Sequence, residues 1–158
     1  MTISDQSVDT KVGALMNKVE ALRAKAKEKQ DQALSLGSYK TNCSINIKGQ
    51  KLKISTLELE DIVAVGEFIL SQESLRKGAL ERLSLDQKIT PKALEIDGYS
   101  SDDWFNDLRI CVLKREALVL TRKADSLEKQ TLALESDLNK RNRAADNLLK
   151  NLEADELL

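Results

Sequence analysis

Residues 38–55, SYKTNCSINIKGQKLKIS, combine four lysines with short polar side chains and contain no acidic residue. Ammonium and amide groups at this density can donate hydrogen bonds to phosphate or carboxylate oxygens. The alternative interpretation is a solvated strand edge whose charges prevent aggregation. If the segment binds a small anionic ligand such as a nucleotide, the candidate residues are Lys40, Asn42, Lys48, Lys51 and Lys53.

Catalysis and metal chemistry are disfavoured by what the sequence lacks. It contains no histidine, which excludes histidine-based triads and histidine-ligated metals. No glycine-rich phosphate loop or hydrolase fingerprint occurs. Cys43 and Cys111 lie far apart without zinc-ligand or disulfide-framework spacing, so both are expected to be small buried residues. The sequence therefore predicts a protein that is not an enzyme and uses no cofactor or metal.

Charge is distributed unevenly along the chain. Residues 11–54 hold ten lysines or arginines and three acidic residues, whereas the whole chain has a formal net charge of -1. This asymmetry suggests either a polyanionic partner or pairing of opposite patches within an oligomer. Nucleic acid is disfavoured as the partner, because the chain is not basic overall and aromatic residues do not interleave with the basic ones.

The composition is typical of long helices. One proline, six glycines and 32% charged residues fit a coiled coil better than a compact α/β enzyme. No apolar run reaches the ~18 residues of a membrane span. The first ten residues have neither the basic nor the apolar region of a signal peptide. We therefore expect a cytoplasmic protein that makes no membrane contact.

A β-hairpin is predicted around the lysines. Apolar and polar residues alternate over residues 39–48, which is typical of a half-buried strand. Gly49 would be the first central residue of a type II′ turn, and a second strand would follow. In that register Lys48 faces Lys51, and facing like charges are unfavourable. Such a pair is tolerable at a solvated edge or where an anion neutralises it.

Helix signals surround this hairpin. Ser55 and Glu58 form a capping box at the start of an apolar stretch, and Pro91 suits the first position of a short helix. The predicted organisation is a disordered N-terminus (1–10), an N-terminal helix (11–37), the hairpin (38–54), a core helix (55–85), a connector with a short helix (86–100) and a long C-terminal coiled-coil helix (101–158).

The C-terminal segment has the strongest coiled-coil pattern. Ser100 and Asp103 form a second capping box, and seven heptads follow without glycine or proline. Alanine at three a positions favours antiparallel or multi-helix packing. A helix of roughly 80 Å cannot bury its apolar stripe against a helix half as long, so we predict a homo-oligomer. The residues expected at its interface are Leu113, Leu120, Leu127, Leu134 and Leu138.

Two stretches, YKTNCSINI (residues 39–47) and GYSSDDWFNDLR (residues 98–109), resemble a pattern in small, largely uncharacterised phage and prophage proteins. Those proteins combine a Lys-Thr-Asn-Cys strand, a helix start with Gly-Tyr, Trp and Asp, and a charged C-terminal coiled coil. The resemblance implies a non-enzymatic role in the cytoplasm of a host cell. That role would be either assembly or sequestration of a nucleotide immune signal.

The sequence thus predicts a mainly α protein with long coiled-coil helices and one inserted β-hairpin. Its expected function is non-catalytic capture of an anionic ligand by the basic hairpin of a homo-oligomer. The alternative function is that of a structural scaffold or adaptor that acts only through coiled-coil contacts between proteins.

Overall fold

The computed structural model describes the backbone of residues 3–86 and 91–156 and confirms the mainly α fold. Side-chain burial is described for residues 9–86, 91–141, 143, 145, 147–150 and 152. The helices are α1 (Ile3–Ser35), α2 (Leu59–Leu83) and α3 (Ser101–Glu156), with a single 3-10 turn at Ile54–Thr56. Two antiparallel strand pairs complete the described fold: β1 (Ser44–Ile47) with β2 (Gln50–Lys53), and β3 (Glu95–Ile96) with β4 (Tyr99–Ser100).

The first helix begins earlier than predicted. α1 includes residues 3–10, which the sequence analysis assigned to a disordered N-terminus. No glycine or proline occurs among the first ten residues to interrupt a helix. At the other end Gly37 has φ +86, a left-handed conformation that glycine adopts without steric cost. Its N–H donates to the Leu34 carbonyl at 3.0 Å and closes the helix.

Contacts divide the chain into two compact units. The first unit comprises Met1–Ala26 and Val119–Leu158. Arg23 of α1 forms ion pairs with Asp125 and Glu128 of α3, so the two helix segments lie side by side. Arg23 of α1 is therefore paired with acidic residues of the same chain. The side chains buried in this unit are Val19, Ala26, Ala124 and Thr131.

The second unit, Lys27–Leu118, contains the hydrophobic core. Its only tryptophan, Trp104, is fully buried, and the indole N–H donates to the Ile96 carbonyl at 2.7 Å. The Tyr99 ring meets the Trp104 ring edge-on with 5.7 Å between centroids. The buried residues of this core are Ile45, Ile54, Ile62, Val65, Ile69, Trp104, Leu108 and Cys111.

A smaller core in the same unit joins α1 to α3. Ala33 packs with Ile110 and Leu113, and Lys29 pairs with Glu116 at 2.8 Å. The order of contacts runs forward along α1 and backward along α3, so these segments are antiparallel. Leu113, a predicted oligomer contact, is almost fully buried within this core instead.

The hairpin is present, but its predicted register is wrong. The central turn residues are Lys48 and Gly49, with φ +51 and +80, which is the type I′ geometry. Lys51 therefore faces Asn46, and Lys53 faces Ser44. The expected pairing of Lys48 with Lys51 does not occur, because Lys48 lies in the turn and no longer in a strand.

Two predicted helix starts are also wrong. α2 begins at Leu59 with Glu58 as its cap residue, and the Ser55 capping box does not form. Ile54 is buried in the core and heads a 3-10 turn, so Ser55 lies within that turn. No helix forms after Pro91: residues 91–94 are irregular and β3 follows. Asp97 and Gly98 have φ +53 and +83 and turn β3 into β4.

Candidate functional site

A buried carboxylate fixes the loop that precedes the hairpin. Asp107 of α3 is fully buried. Its Oδ1 accepts the backbone N–H of Lys40 at 2.8 Å, and its Oδ2 accepts the backbone N–H of Thr41 at 2.7 Å. The Thr41 hydroxyl also donates to Oδ2, and the Asn106 amide donates to Oδ1 at 3.2 Å. The predicted strand therefore starts only at Ser44, because the backbone before it bonds to Asp107.

The loop separates two predicted ligand residues from the other three. Lys40 and Asn42 lie before β1, at exposed positions that alternate with the buried Thr41 and Cys43. The Asn42 Oδ1 accepts the N–H of Ser44 at 3.0 Å, a local turn that occupies the oxygen of this amide. Alternating burial thus persists, but Cys43 has φ +58 and the backbone is not a strand.

The remaining predicted ligand residues lie together on the hairpin. Lys51 and Lys53 share the outer face of β2, and Lys48 lies at the tip. All three are exposed, and among the described residues no carboxylate lies within ion-pair distance of them. Asp97 lies beside this surface, since its Oδ2 accepts the backbone N–H of Asn46 at 2.6 Å. The surface is basic, and Asp97 is an acidic neighbour.

Two thiols and a phenol lie next to Asp107. Burial, followed by the charge of Asp107, raises the pKa of Cys43 from 9.0 to about 11. Burial also raises the pKa of Cys111 and, well above its ordinary value, that of Tyr39. The Cys111 thiol donates to the Tyr39 hydroxyl at 3.7 Å. Both cysteines are buried and free, as predicted, and at neutral pH they are hydrogen-bond donors rather than nucleophiles.

A cavity of about 110 Å³ opens beside Tyr39. Lys114 lies over the Tyr39 ring, 4.8 Å from its centroid. Arg115 donates from Nη2 to the Glu58 Oε1 at 2.7 Å. The Arg115 Nε is buried, and no described residue accepts a hydrogen bond from it. The described residues that line the cavity are Tyr39, Ser55, Leu57, Ile62, Cys111, Lys114, Arg115 and Leu118.

An apolar groove of about 370 Å³ lies between α2 and α3. Gly66 faces the Phe105 ring across it: a Cβ on Gly66 would lie 3.7 Å from the nearest ring carbon. Val63 at its edge is more than half exposed. The groove is lined by Ile62, Val63, Gly66, Phe105, Leu108, Arg109 and Val112.

The other predicted oligomer contacts remain accessible. Leu120, Leu127 and Leu138 are half-buried, and Leu134 is exposed. Further along α3, three more leucines are exposed: Leu148, Leu149 and Leu152. This part of the chain therefore carries an apolar face that its described residues do not bury.

Sequence reasoning missed Asp107, Lys114 and Arg115. The burial of Asp107 could have been predicted from the sequence, because Asp107 follows Trp104 by three positions and so lies on the buried stripe of α3. A carboxylate on an apolar helix face requires hydrogen-bond donors from elsewhere in the fold. No sequence pattern indicated a role for Lys114 and Arg115, since the cavity forms only where three segments of the chain meet.

Comparisons with protein-family models, with curated proteins and with solved structures found no match to this chain. Within the described residues, no helix has the length and apolarity required to cross a membrane. The same residues contain no cluster of three or more cysteine or acidic side chains suited to a metal ion.

Proposed function

We propose that this protein is a non-catalytic scaffold that assembles with further copies of itself through α3. The observation that carries the proposal is the exposure of leucines at heptad positions: Leu134 is 41% exposed, Leu148 63% and Leu152 53%. A leucine face of this kind is stable in water when another helix covers it.

A second copy of the chain suits this face better than an unrelated partner. The seam of a coiled coil accepts a helix with the same heptad spacing, and α3 of another copy has that spacing. Two copies related by a two-fold axis would bury the same leucines on both sides.

Light scattering coupled to size exclusion tests the proposal. The chain mass is 17.6 kDa, and the wild type is expected to elute at a multiple of that mass. Leu134→Glu with Leu148→Glu should give the single-chain mass without loss of helical circular dichroism. The matched control, Asn139→Glu with Asn147→Glu, adds the same charge at other positions of α3 and should leave the assembly intact. A wild type of single-chain mass at micromolar concentration would overturn the proposal.

The hairpin supports a second candidate function, capture of an anionic ligand such as a nucleotide. Lys48, Lys51 and Lys53 are exposed and free of described ion-pair partners, and Asn46 and Ser44 lie opposite two of them. Exposed ammonium groups and adjacent amides suit phosphate oxygens.

Thermal unfolding with cyclic and linear nucleotides tests this second function. A ligand at a hundredfold excess over its Kd stabilises the folded state by about 2.7 kcal/mol. Lys51→Ala with Lys53→Ala should abolish the rise in Tm, whereas Lys25→Ala with Lys27→Ala, two exposed lysines of α1, should preserve it. An unchanged Tm with every nucleotide would reject nucleotide capture and leave self-assembly as the function.

A further inference from the structure

The β1–β2 hairpin has two outer edges, and the bonding across it shows which backbone groups each edge presents. The Ile54 N–H donates to the Cys43 carbonyl at 2.8 Å, so these residues form a hydrogen-bonded pair. Hydrogen-bonded and non-hydrogen-bonded pairs alternate along an antiparallel ladder, so every second pair in the register turns its backbone groups outward. The residues with outward groups are Ser44 and Asn46 in β1, and Lys51 and Lys53 in β2.

Side chains close the outer edge of β1. The Ser44 N–H donates to the Asn42 Oδ1 at 3.0 Å, and the Asn46 N–H donates to the Asp97 Oδ2 at 2.6 Å. Donors that are already bonded within the chain are not offered to another strand. The β1 edge is therefore protected by an amide and a carboxylate.

The outer edge of β2 is open. Lys51 and Lys53 are exposed, and no described residue bonds to the outward N–H of either lysine or to the Lys51 carbonyl. The Lys53 carbonyl accepts the Thr56 hydroxyl at 2.8 Å, which leaves its second lone pair. Alternate residues of β2 thus present N–H and carbonyl groups in the arrangement to which an extended peptide adds as a further strand.

Charge at the open edge selects an acidic partner. Lys51 and Lys53 share the outer face of β2, and Lys48 lies at the tip. Asp97 belongs to the opposite edge, where it bonds to β1, so positive charge prevails over the hairpin. An added strand places side chains directly opposite Lys51 and Lys53, where opposite charges attract and like charges repel.

The position between the two lysines selects an apolar residue. Leu52 points to the inner face of the hairpin, where it packs against the hydrophobic core and stays half-buried. A residue opposite Leu52 would cover the part of this side chain that remains in water, which favours an apolar partner. The edge therefore matches the pattern acid, apolar, acid.

We propose that β2 is the docking edge for an extended acidic segment of another protein, which adds to the hairpin as a third, antiparallel strand. Its carboxylates lie opposite Lys51 and Lys53, and the apolar residue between them lies opposite Leu52. A two-stranded hairpin is marginal by itself, so a third strand stabilises it. The proposal rests on the second candidate function, anion capture by the hairpin, and names peptide carboxylates as the anion.

Fluorescence anisotropy of the full chain with a labelled, end-blocked peptide, Thr-Glu-Val-Glu-Val-Thr, tests the added strand. In this pairing the backbone N–H groups of the glutamates face β2, and those of the valines face away. N-methylation of both glutamates should weaken binding about tenfold or more, whereas N-methylation of both valines should leave it unchanged. Glutamine in place of both glutamates should weaken binding about threefold or more.

Variants locate the edge. Lys51→Pro removes an outward N–H together with the charge, and an edge strand tolerates proline where its N–H faces solvent. Lys51→Gln removes the charge alone and is the matched control, so the proline variant should bind the peptide about threefold more weakly than the glutamine variant. Lys25→Gln, in an exposed part of α1, should bind as the wild type does. If Lys51→Pro does not fold, the N-methylated peptides provide the test.

The outcomes separate strand addition from anion capture in general. An equal effect of N-methylation at glutamate and valine, with binding that still requires the glutamates, would overturn the added strand and leave anion capture intact. Absence of peptide binding, as at an edge that lysines only protect from aggregation, would also overturn it. The expected difference between the two N-methylated peptides would support the proposal even if no nucleotide raises the Tm, and nucleotide capture alone would then fail.

Discussion

The backbone N–H of Thr41 donates to the Asp107 carboxylate at 2.7 Å, across 66 positions of sequence. This bond fastens the loop before the hairpin to α3, and it places Thr41 and Cys43 against the helix while Lys40 faces solvent. The hairpin therefore starts from a fixed point. The buried Asp107 therefore determines the position at which the basic hairpin begins.

Replacing that acid should be strongly destabilising. Asp107→Asn retains the size but exchanges an acceptor for an amide donor, which would face the N–H groups of Lys40 and Thr41. We expect a loss of about 3 kcal/mol or more, since each hydrogen bond to a charged group contributes about 1.5 to 3 kcal/mol. Urea unfolding measures the change. Asp102→Asn, an exposed acid in the first turn of α3, should cost at most about 1 kcal/mol, and equal losses in the two variants would refute the anchoring role.

Two glycines should respond in opposite directions to alanine. Added Cβ atoms at Gly49 and Gly78 would meet nothing within 4 Å, so only backbone conformation differs. Gly49→Ala should destabilise by about 1 to 2 kcal/mol, because φ is +80 there. Gly78→Ala lies within α2 and should stabilise by about 0.5 to 1 kcal/mol. Thermal unfolding of both variants measures these changes in stability. A stabilising effect of Gly49→Ala would argue against the type I′ turn.

Close helix packing in the first unit should make Ala124 intolerant of larger side chains. Ala124 is fully buried, whereas Ala133 on the same helix is exposed. Ala124→Leu should lose about 1 to 3 kcal/mol through overpacking, and Ala133→Leu should change stability by no more than about 0.5 kcal/mol. Chemical denaturation followed by circular dichroism compares them. Similar values would mean that α1 does not pack tightly against this part of α3.

The buried thiols should be unreactive in the folded protein. The pKa of Cys43 is raised from 9.0 to about 11. At pH 8 its thiolate fraction is therefore about one hundredth of that of a thiol with the ordinary pKa. Labelling with a disulfide reagent should therefore be slow natively and fast in denaturant. The same shift makes the unfolded state lose its proton first, so the free energy of unfolding should fall as pH rises from 9 to 11. Rapid native labelling, or stability that increases over that pH range, would contradict the burial of these groups.

Local rules predicted the start of α3 because its capping contact is local. The Asp103 N–H donates to the Ser100 hydroxyl at 3.3 Å, as the predicted capping box requires. The missed β3–β4 turn was also a local signal, since Asp-Gly is a preferred type I′ pair. Pro91 favoured a helix over the same segment, and the Asp97–Gly98 turn prevailed.

The register of the β1–β2 hairpin and the hydrogen bonds of Asp107 depend on contacts between residues that are distant in sequence. Lysine is an unfavourable residue for a left-handed turn position, so the sequence favoured Gly49 as the first turn residue. The structure places Lys48 there, and the Asn46 N–H bonds to Asp97. Likewise, Asp107 finds its donors more than sixty residues away. Such pairings are set by tertiary packing, which periodicity and capping patterns do not contain.

The single tryptophan gives the molecule an internal reporter. Trp104 is sealed in the core of the second unit, with its indole N–H bonded to Ile96, so its emission should be blue-shifted until that core opens. Circular dichroism, by contrast, is dominated by α1 and α3, whose residues contribute to both units. Melting curves from tryptophan fluorescence and circular dichroism would coincide if the two units unfold together, and they would differ if one unit unfolds first. The cooperativity of the whole chain can therefore be measured without adding a label.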